Sequence, residues 1–247
     1  MYSDFDNQTR QRNDNESFLA AASAGAVDTV ALLLDEHGVN INTVDRLRQT
    51  ALFHAIQAGC EDCALYLLKR GIDWRRQNKR GLQALHLAAG MGLGVVVEWL
   101  LNASADPNAR GGKHITALHV ATTSAMTAML LAAGADPDAR DKDGETALFD
   151  AARCGRMDKM RLLIDAGADV DALNGKRETA LFQAGQRGII EVVDYLLGAG
   201  ANPDLPGDSG RSLATVARRN PSLRTYMTGR AMRGCIDAAL AEIARPV

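Results

Sequence analysis

Apolar residues in this chain come in short runs at helical spacing, separated at near-regular intervals by polar stretches rich in Gly and Asp. "TALFHAIQAG" (50–59) and "IIEVVDYLLGAGA" (189–201) are two such runs, and each has the three-to-four-residue apolar period of an amphipathic helix. The phrase "ETALF" is written twice, at Glu145–Phe149 and Glu178–Phe182, and "QTALF" stands at Gln49–Phe53. Taking the Thr of "TAL" as an anchor gives Thr50, Gln83, Thr116, Thr146, Thr179 and Ser212, spaced 33, 33, 30, 33 and 33 residues apart; Glu16 takes the position 34 residues before Thr50. A period of this length indicates repeated supersecondary units.

Each unit predicts a pair of helices. The anchor hydroxyl suits a helix start. Gly59, Gly92, Gly155 and Gly188 stand nine residues later, where a left-handed turn ends the first helix. The second helix runs to Gly71, Gly134, Gly167 or Gly200, and Asp/Asn with Pro or Val then turns the chain into a loop. Two helices of about ten residues cannot bury their own apolar faces, so successive units have to stack. We expect a frayed or disordered segment over 1–14 and an array over 15–227, in units of about 15–43, 44–76, 77–109, 110–139, 140–172, 173–205 and 206–227. A capping helix is expected over 228–247, where Met232, Ile236, Leu240 and Ile243 share a face.

"QALHLAAGMG" (83–92), "TALHVA" (116–121), "GADPDARDKDGETALFDAARCG" (134–155) and "GANPD" (200–204) resemble the ankyrin repeat, over roughly residues 15–227. The resemblance implies an all-α solenoid of stacked antiparallel helix pairs with projecting hairpin-like loops. It also implies a protein-interaction scaffold. Some units depart from the family pattern. Ala follows the anchor where the family has Pro. The family's His remains only at His86 and His119, with Phe53, Phe149 and Phe182 elsewhere, so bracing of the neighbouring loops should differ. The fourth unit is three residues short in "VATTSAMTAMLL" and has no turn Gly, which predicts a tight or distorted turn. Ser104 stands where sister units end the second helix with Gly.

Composition narrows the chemistry. The 247 residues carry a net charge of −2, 47% hydrophobic residues and 4% aromatics, which gives no global bias toward nucleic acid or an anionic membrane. No apolar run is long enough to span a bilayer, the N-terminus lacks the apolar core of a signal peptide, and four cysteines make no disulfide framework. A reduced, cytoplasmic setting is therefore expected, with no cofactor, no metal and a chain that is monomeric on its own. Cys60 and Cys63 form a C-x-x-C that could serve a thiol or redox enzyme; the plainer reading is buried structural cysteine, since Cys63 occupies the apolar position of Val192. "GGKHIT" (111–116) lacks the first Gly and the Ser/Thr of a phosphate loop. Asp106, Asp136 and Asp169 recur in phase, as turn formers do and a catalytic pair does not.

The recurrent loops carry a charge imbalance. Loops 1 to 6 span 45–49, 74–82, 110–115, 140–145, 174–178 and 207–211; they hold thirteen Lys/Arg against six carboxylates, so the rest of the chain is acidic. "WRRQNKRG" (74–81) is the densest part, and Arg75 stands where sister units have Asn108, Asp138, Asp171 and Asp204. Candidate loop contacts are Arg46, Arg48, Trp74, Arg75, Arg76, Lys79, Arg80, Lys113, His114, Lys142, Lys176 and Arg177. The first helices add positions that vary between units: His54, Met91, Asp150, Arg153, Gln183 and Gln186. Together they predict a non-enzymatic module for a protein with an acidic surface. Nucleic acid is disfavoured by the acidic remainder. The excess of Arg over Lys and the alanine richness lead us to expect a bacterial effector, delivered into a host cell, or an inhibitor of immunity type.

Overall fold

A computed structural model describes residues 2–205, 207 and 210–230, with side chains from residue 9 onward. The chain divides into two compact units, with the boundary between Lys142 and Asp143.

Unit 1 contains α1 (Tyr2–Ser23), α2 (Val27–Asp35), α3 (Ala51–Gln57), α4 (Glu61–Lys69), α5 (Ala84–Met91), α6 (Gly94–Asn102), α7 (Ala117–Val120) and α8 (Ser124–Ala132). Each first helix packs on its own second helix and on the next first helix: α1 on α3, α3 on α5, α5 on α7. Second helices pack in a parallel series, α2 on α4, α4 on α6 and α6 on α8. Unit 2 contains α9 (Ala147–Arg153), α10 (Met157–Asp165), α11 (Ala180–Arg187), α12 (Ile190–Gly198), α13 (Leu213–Ala217) and helical residues over 221–230, which we label α14. Here α9 packs on α11 and α11 on α13. No strand occurs among the described residues; one isolated antiparallel bridge joins Val44 to Thr50. The fold is a helical solenoid. Each unit builds its core from the same letters: Leu52, Leu85, Leu118, Leu148 and Leu181 of the first helices are at most 2% exposed, as are Leu67, Leu100, Leu130, Leu163 and Leu196 of the second. Each such side chain contributes roughly 1.5–3 kcal/mol on burial.

The helix ends follow the repeated letters. Anchors start the first helices in extended backbone, Thr50 at φ −85°, ψ 171° and Thr146 at φ −92°, ψ 171°. Their hydroxyls behave less uniformly than expected: Thr179 accepts the Phe182 N–H at 3.1 Å, whereas those of Thr50 and Thr146 are buried without a partner among the described residues. Gly59, Gly92, Gly155 and Gly188 are left-handed at φ 66–75°. Ser104 takes the same kind of backbone, φ 63°, at the cost that a Cβ brings there. The short fourth repeat solves its turn differently. α7 stops after one turn, Ala121 is extended at ψ 122°, and the Thr123 side chain caps α8 by accepting the Met126 N–H at 3.2 Å.

The N-terminal expectation differs from the structure. α1 starts at Tyr2, not near residue 15, because residues 2–22 contain no Gly or Pro and i,i+4 pairs such as Arg12–Glu16 support the helix. The expected apolar face of the capping helix, from Met232 onward, lies outside the described residues.

Candidate protein-interaction surface

The loops are built by a repeated set of turn bonds. At the start of each, a carboxylate or carboxamide folds back onto the N–H two residues on: Asn40 on Asn42, Asp73 on Arg75, Asp106 on Asn108, Asp136 on Asp138, Asp169 on Asp171, Asn202 on Asp204, at 2.9–3.2 Å. The in-phase acids are therefore turn formers, as their spacing indicated. Two residues later in the sequence, a second side chain reaches the next hairpin. Asn42 accepts the Asp73 N–H at 2.8 Å, Asn108 that of Asp136 at 2.7 Å and Asp171 that of Asn202 at 2.9 Å. Arg75 occupies this position and has no acceptor, so it cannot form the rung to the following hairpin. Its guanidinium instead lies over the Trp74 ring, 3.9 Å from the centroid.

Nearer the tips, five residues before the anchor, Asp45, Asn78 and Asn174 each accept two backbone N–H groups and close the turn. Two residues before the anchor the chain is left-handed in every loop. Gly81, Gly144 and Gly210 fill this position in three of them; Arg48 (φ 59°), His114 (φ 58°) and Arg177 (φ 59°) fill it in the others, and Lys113 beside His114 is left-handed too (φ 62°). A non-Gly residue there costs about 1 kcal/mol. The close approach of loops 2 and 3 depends on two glycines: a Cβ on Gly112 would lie 1.8 Å from the Arg80 carbonyl oxygen, and one on Gly111 would meet Leu82 and His86.

Bracing from the first helices varies as the His-to-Phe exchange implied. His86 is 2% exposed, and its Nε2 lies 3.0 Å from both the Ala109 and Ile115 carbonyls, so it clasps the hairpin around loop 3. Burial lowers its pKa below the ordinary histidine value against the opposing pull of those carbonyls. Phe182 packs its ring against Gly207 instead.

Arg46, Arg48, Arg75, Arg76, Lys79, Arg80, Lys113, His114, Lys142, Lys176 and Arg177 are all exposed; Trp74 is half-buried. Of these, Arg76 lies 3.4 Å from Asp73, while Arg46, Arg48, Lys79, Arg80 and Lys113 make no ion pair among the described residues. The positive excess is not shared between the units. Loops 1 to 3, all in unit 1, hold eight Lys/Arg against one carboxylate, Asp45.

The first-helix candidates fall into two groups. Met91, 48% exposed, and Gln186 are open to solvent. His54 is half-buried and its Nε2 lies 3.3 Å from Asp45, too poorly aligned for a hydrogen bond. Asp150, Arg153 and Gln183 are not the free recognition side chains their variability suggested. Arg153 bonds Glu145 at 3.0 Å and Asp150 at 2.9 Å, Arg156 reaches Asp150 at 3.3 Å, and Gln183 donates to Glu145 and Glu178 at 3.2 and 3.3 Å. Burial opposes the Arg153 charge, but the two carboxylates outweigh it and hold its pKa above the ordinary value.

Below this network lies a residue that sequence comparison did not single out. Lys159, 2% exposed, occupies the α10 position that is Cys63, Val96, Met126 and Val192 in sister units. Burial, only partly offset by Asp150, pushes its pKa down to about 8. The same unit alignment that placed Cys63 beside Val192 carried this signal, a lone charge in an otherwise apolar column.

Cys63 is fully buried and its thiol is pushed up to about 11, by burial first and by Cys60 second, which is the reverse of an activated nucleophile. Cys60 is half-buried at the start of α4, its Sγ 3.9 Å from the Gly25 carbonyl. No cluster of three or more metal-ligating side chains occurs among the described residues, and no helix there is long and apolar enough to cross a membrane.

The ankyrin repeat models match residues 3–78 and 118–206, as three-copy ankyrin repeats, and 80–112, as a single ankyrin repeat. The chain belongs to the ankyrin repeat family, whose members are protein-interaction modules on a scaffold that is generally non-enzymatic. A putative ankyrin repeat-containing protein of Treponema pallidum is 36% identical over 108 residues, 43% of this chain and 36% of that protein, so the match spans about a third of that relative's length. The ankyrin repeat domain of human ASB11 superposes with a TM-score of 0.75 at 26% identity, over 85% of this chain and 96% of that one. A chain from the complex of a predatory endopeptidase of Bdellovibrio bacteriovorus with an immunity protein superposes with a TM-score of 0.68 at 27% identity, over 74% of this chain and 97% of that one.

Proposed function

We propose that this protein is a non-enzymatic binding module of inhibitor or immunity type, working in a reduced cytoplasmic setting, that takes an acidic protein surface on the hairpin loops of unit 1 and the adjoining first-helix positions. One observation carries the reading: cationic side chains stand on left-handed tip backbone, where Gly would be easier, and they are exposed without carboxylate partners among the described residues. The fold does not need Arg48 or Lys113 there, so a role outside the fold accounts for them better. A surface with eight cations and one carboxylate on its loops attracts an acidic partner and speeds encounter. Likeness to a chain from an endopeptidase–immunity protein complex supports inhibition as the outcome of binding.

The test is affinity capture from the organism's own lysate with wild type beside an Arg75/Arg76/Lys79/Arg80→Ala variant, in 50 and 300 mM salt. We expect one or a few acidic proteins on the wild type, released by salt and lost from the variant, with both proteins melting within a few degrees of each other. Equal recovery of the same proteins by the variant would place the site elsewhere.

A further inference from the structure

The reading above names an acidic partner and leaves open the form of its contact. Loop 1 supplies more than charge. Val44 and Leu47 are 40% and 55% exposed in the stretch "VDRLR", where Leu47 stands between Arg46 and Arg48 and Asp45 separates Val44 from Arg46. Their exposure is not looseness. The Val44–Thr50 bridge closes the base of the hairpin, and Asp45 Oδ1 holds the Leu47 N–H at 2.7 Å and the Gln49 N–H at 2.8 Å. The hairpin is also fastened to the next one at two heights, by Asn42 to the Asp73 N–H at 2.8 Å and by the Leu47 carbonyl to the Lys79 N–H at 2.9 Å. A rigid hairpin that holds Leu47 out in water has put it where the core cannot use it. Next to it, α1 and loop 1 flank an open cleft of about 550 Å³ lined by Leu19, Val44, Arg12 and Arg46 together with the carboxylates of Glu16 and Asp45, the first paired with Arg12 and the second turned onto its own loop's N–H groups.

We infer that loop 1, with this cleft, docks an acidic segment of the partner that carries aliphatic or aromatic side chains between its carboxylates. The inference rests on the acidic-partner reading. Charge complementarity selects the carboxylates: the loop's two arginines make no ion pair among the described residues. Two exposed apolar side chains beside two arginines on one short hairpin select a ligand that mixes apolar residues with its carboxylates, since a purely acidic chain would leave Val44 and Leu47 in water. Burial of the two aliphatic side chains is expected to raise affinity about tenfold or more over charge alone.

The experiment uses the full chain and three fluorescein-labelled twelve-residue peptides, read by anisotropy at 100 mM salt: all Glu; Glu with Leu at every third position; and Lys with Leu at every third position. The Glu/Leu peptide is expected to bind at least tenfold tighter than the all-Glu peptide. Val44→Ser/Leu47→Ser should remove that margin while leaving the all-Glu affinity unchanged, and Arg46→Gln/Arg48→Gln should weaken both; thermal melts of each variant check that it is folded. Equal binding of the two acidic peptides to the wild type overturns the inference and leaves the acidic-partner reading in place. Binding of neither overturns both, and so does equal or tighter binding of the Lys/Leu peptide.

Discussion

The two units treat the same ingredients in opposite ways. Unit 1 places cations on loop tips and leaves them to solvent: Arg46, Arg48, Lys79, Arg80 and Lys113 are exposed and make no ion pair among the described residues. Unit 2 draws several of its cations inward. Arg153 and Arg156 close on Asp150 and Glu145, and Lys159 is sunk beneath them. Identical repeat geometry therefore does not decide whether a charged residue recognises something else or stabilises its own neighbourhood. Whether a carboxylate of the same repeat stands within reach decides it. Glu145, just before α9, meets Arg153 at the end of α9 and Gln183 in α11; the two exposed arginines of loop 1 have no such counterpart among the described residues.

Three substitutions probe this contrast, from the largest expected effect to the smallest. Lys159→Met returns the column to its apolar norm. With Lys159 near 8 when folded and near 10.5 when unfolded, the unfolded chain holds more protons between those values, so wild-type stability rises with pH across that window. Below pH 8 the penalty of the buried charge is fully present. The variant should be more stable than wild type by on the order of 3 kcal/mol at pH 7, the margin shrinking as pH approaches 10.5, in paired urea titrations. An unchanged or lower stability at pH 7 would show that the lysine is held by its surroundings at no net cost. Second, Arg153→Ala strips Asp150 and Glu145 of a shared partner. Since about a third of the arginine is exposed, the expected loss is about 1–2 kcal/mol in urea titrations at neutral pH. Third, Arg48→Gly relieves the left-handed tip and should gain up to about 1 kcal/mol while weakening capture of the partner. If stability fell instead, the arginine would belong to the fold of unit 1, and the contrast with unit 2 would disappear.

Most of the architecture was legible because it recurs. Gly59, Gly92, Gly155 and Gly188 announced their left-handed turns by falling nine residues after each anchor, and Leu at a fixed offset marked every layer of the core. Arg75 was legible as a broken rule, although only the structure supplies the missing rung and the Trp74 stack. What escaped depends on long side chains meeting within a repeat and, for Gln183 and Glu145, between two. Nothing in the spacing of Asp150, Arg153 and Gln183 reveals that Arg153 and Arg156 engage Asp150, or that Glu145 and Glu178 engage Arg153 and Gln183, because hydrogen bonding of long side chains has no period. The helix over 2–14 escaped for another reason: without an apolar face it gives no periodic signal, and what favours it is the lack of Gly and Pro and local pairs such as Arg12–Glu16.

The tip position two residues before each anchor has a practical consequence. Its backbone is set by the turn, not by the side chain, so Gly, Arg and His all serve there in one molecule. Specificity could thus be rewritten at Arg48, His114 or Arg177 as one changes a key's teeth without recasting the bow. A small library at those three codons would select new targets from a body whose folding instructions lie elsewhere.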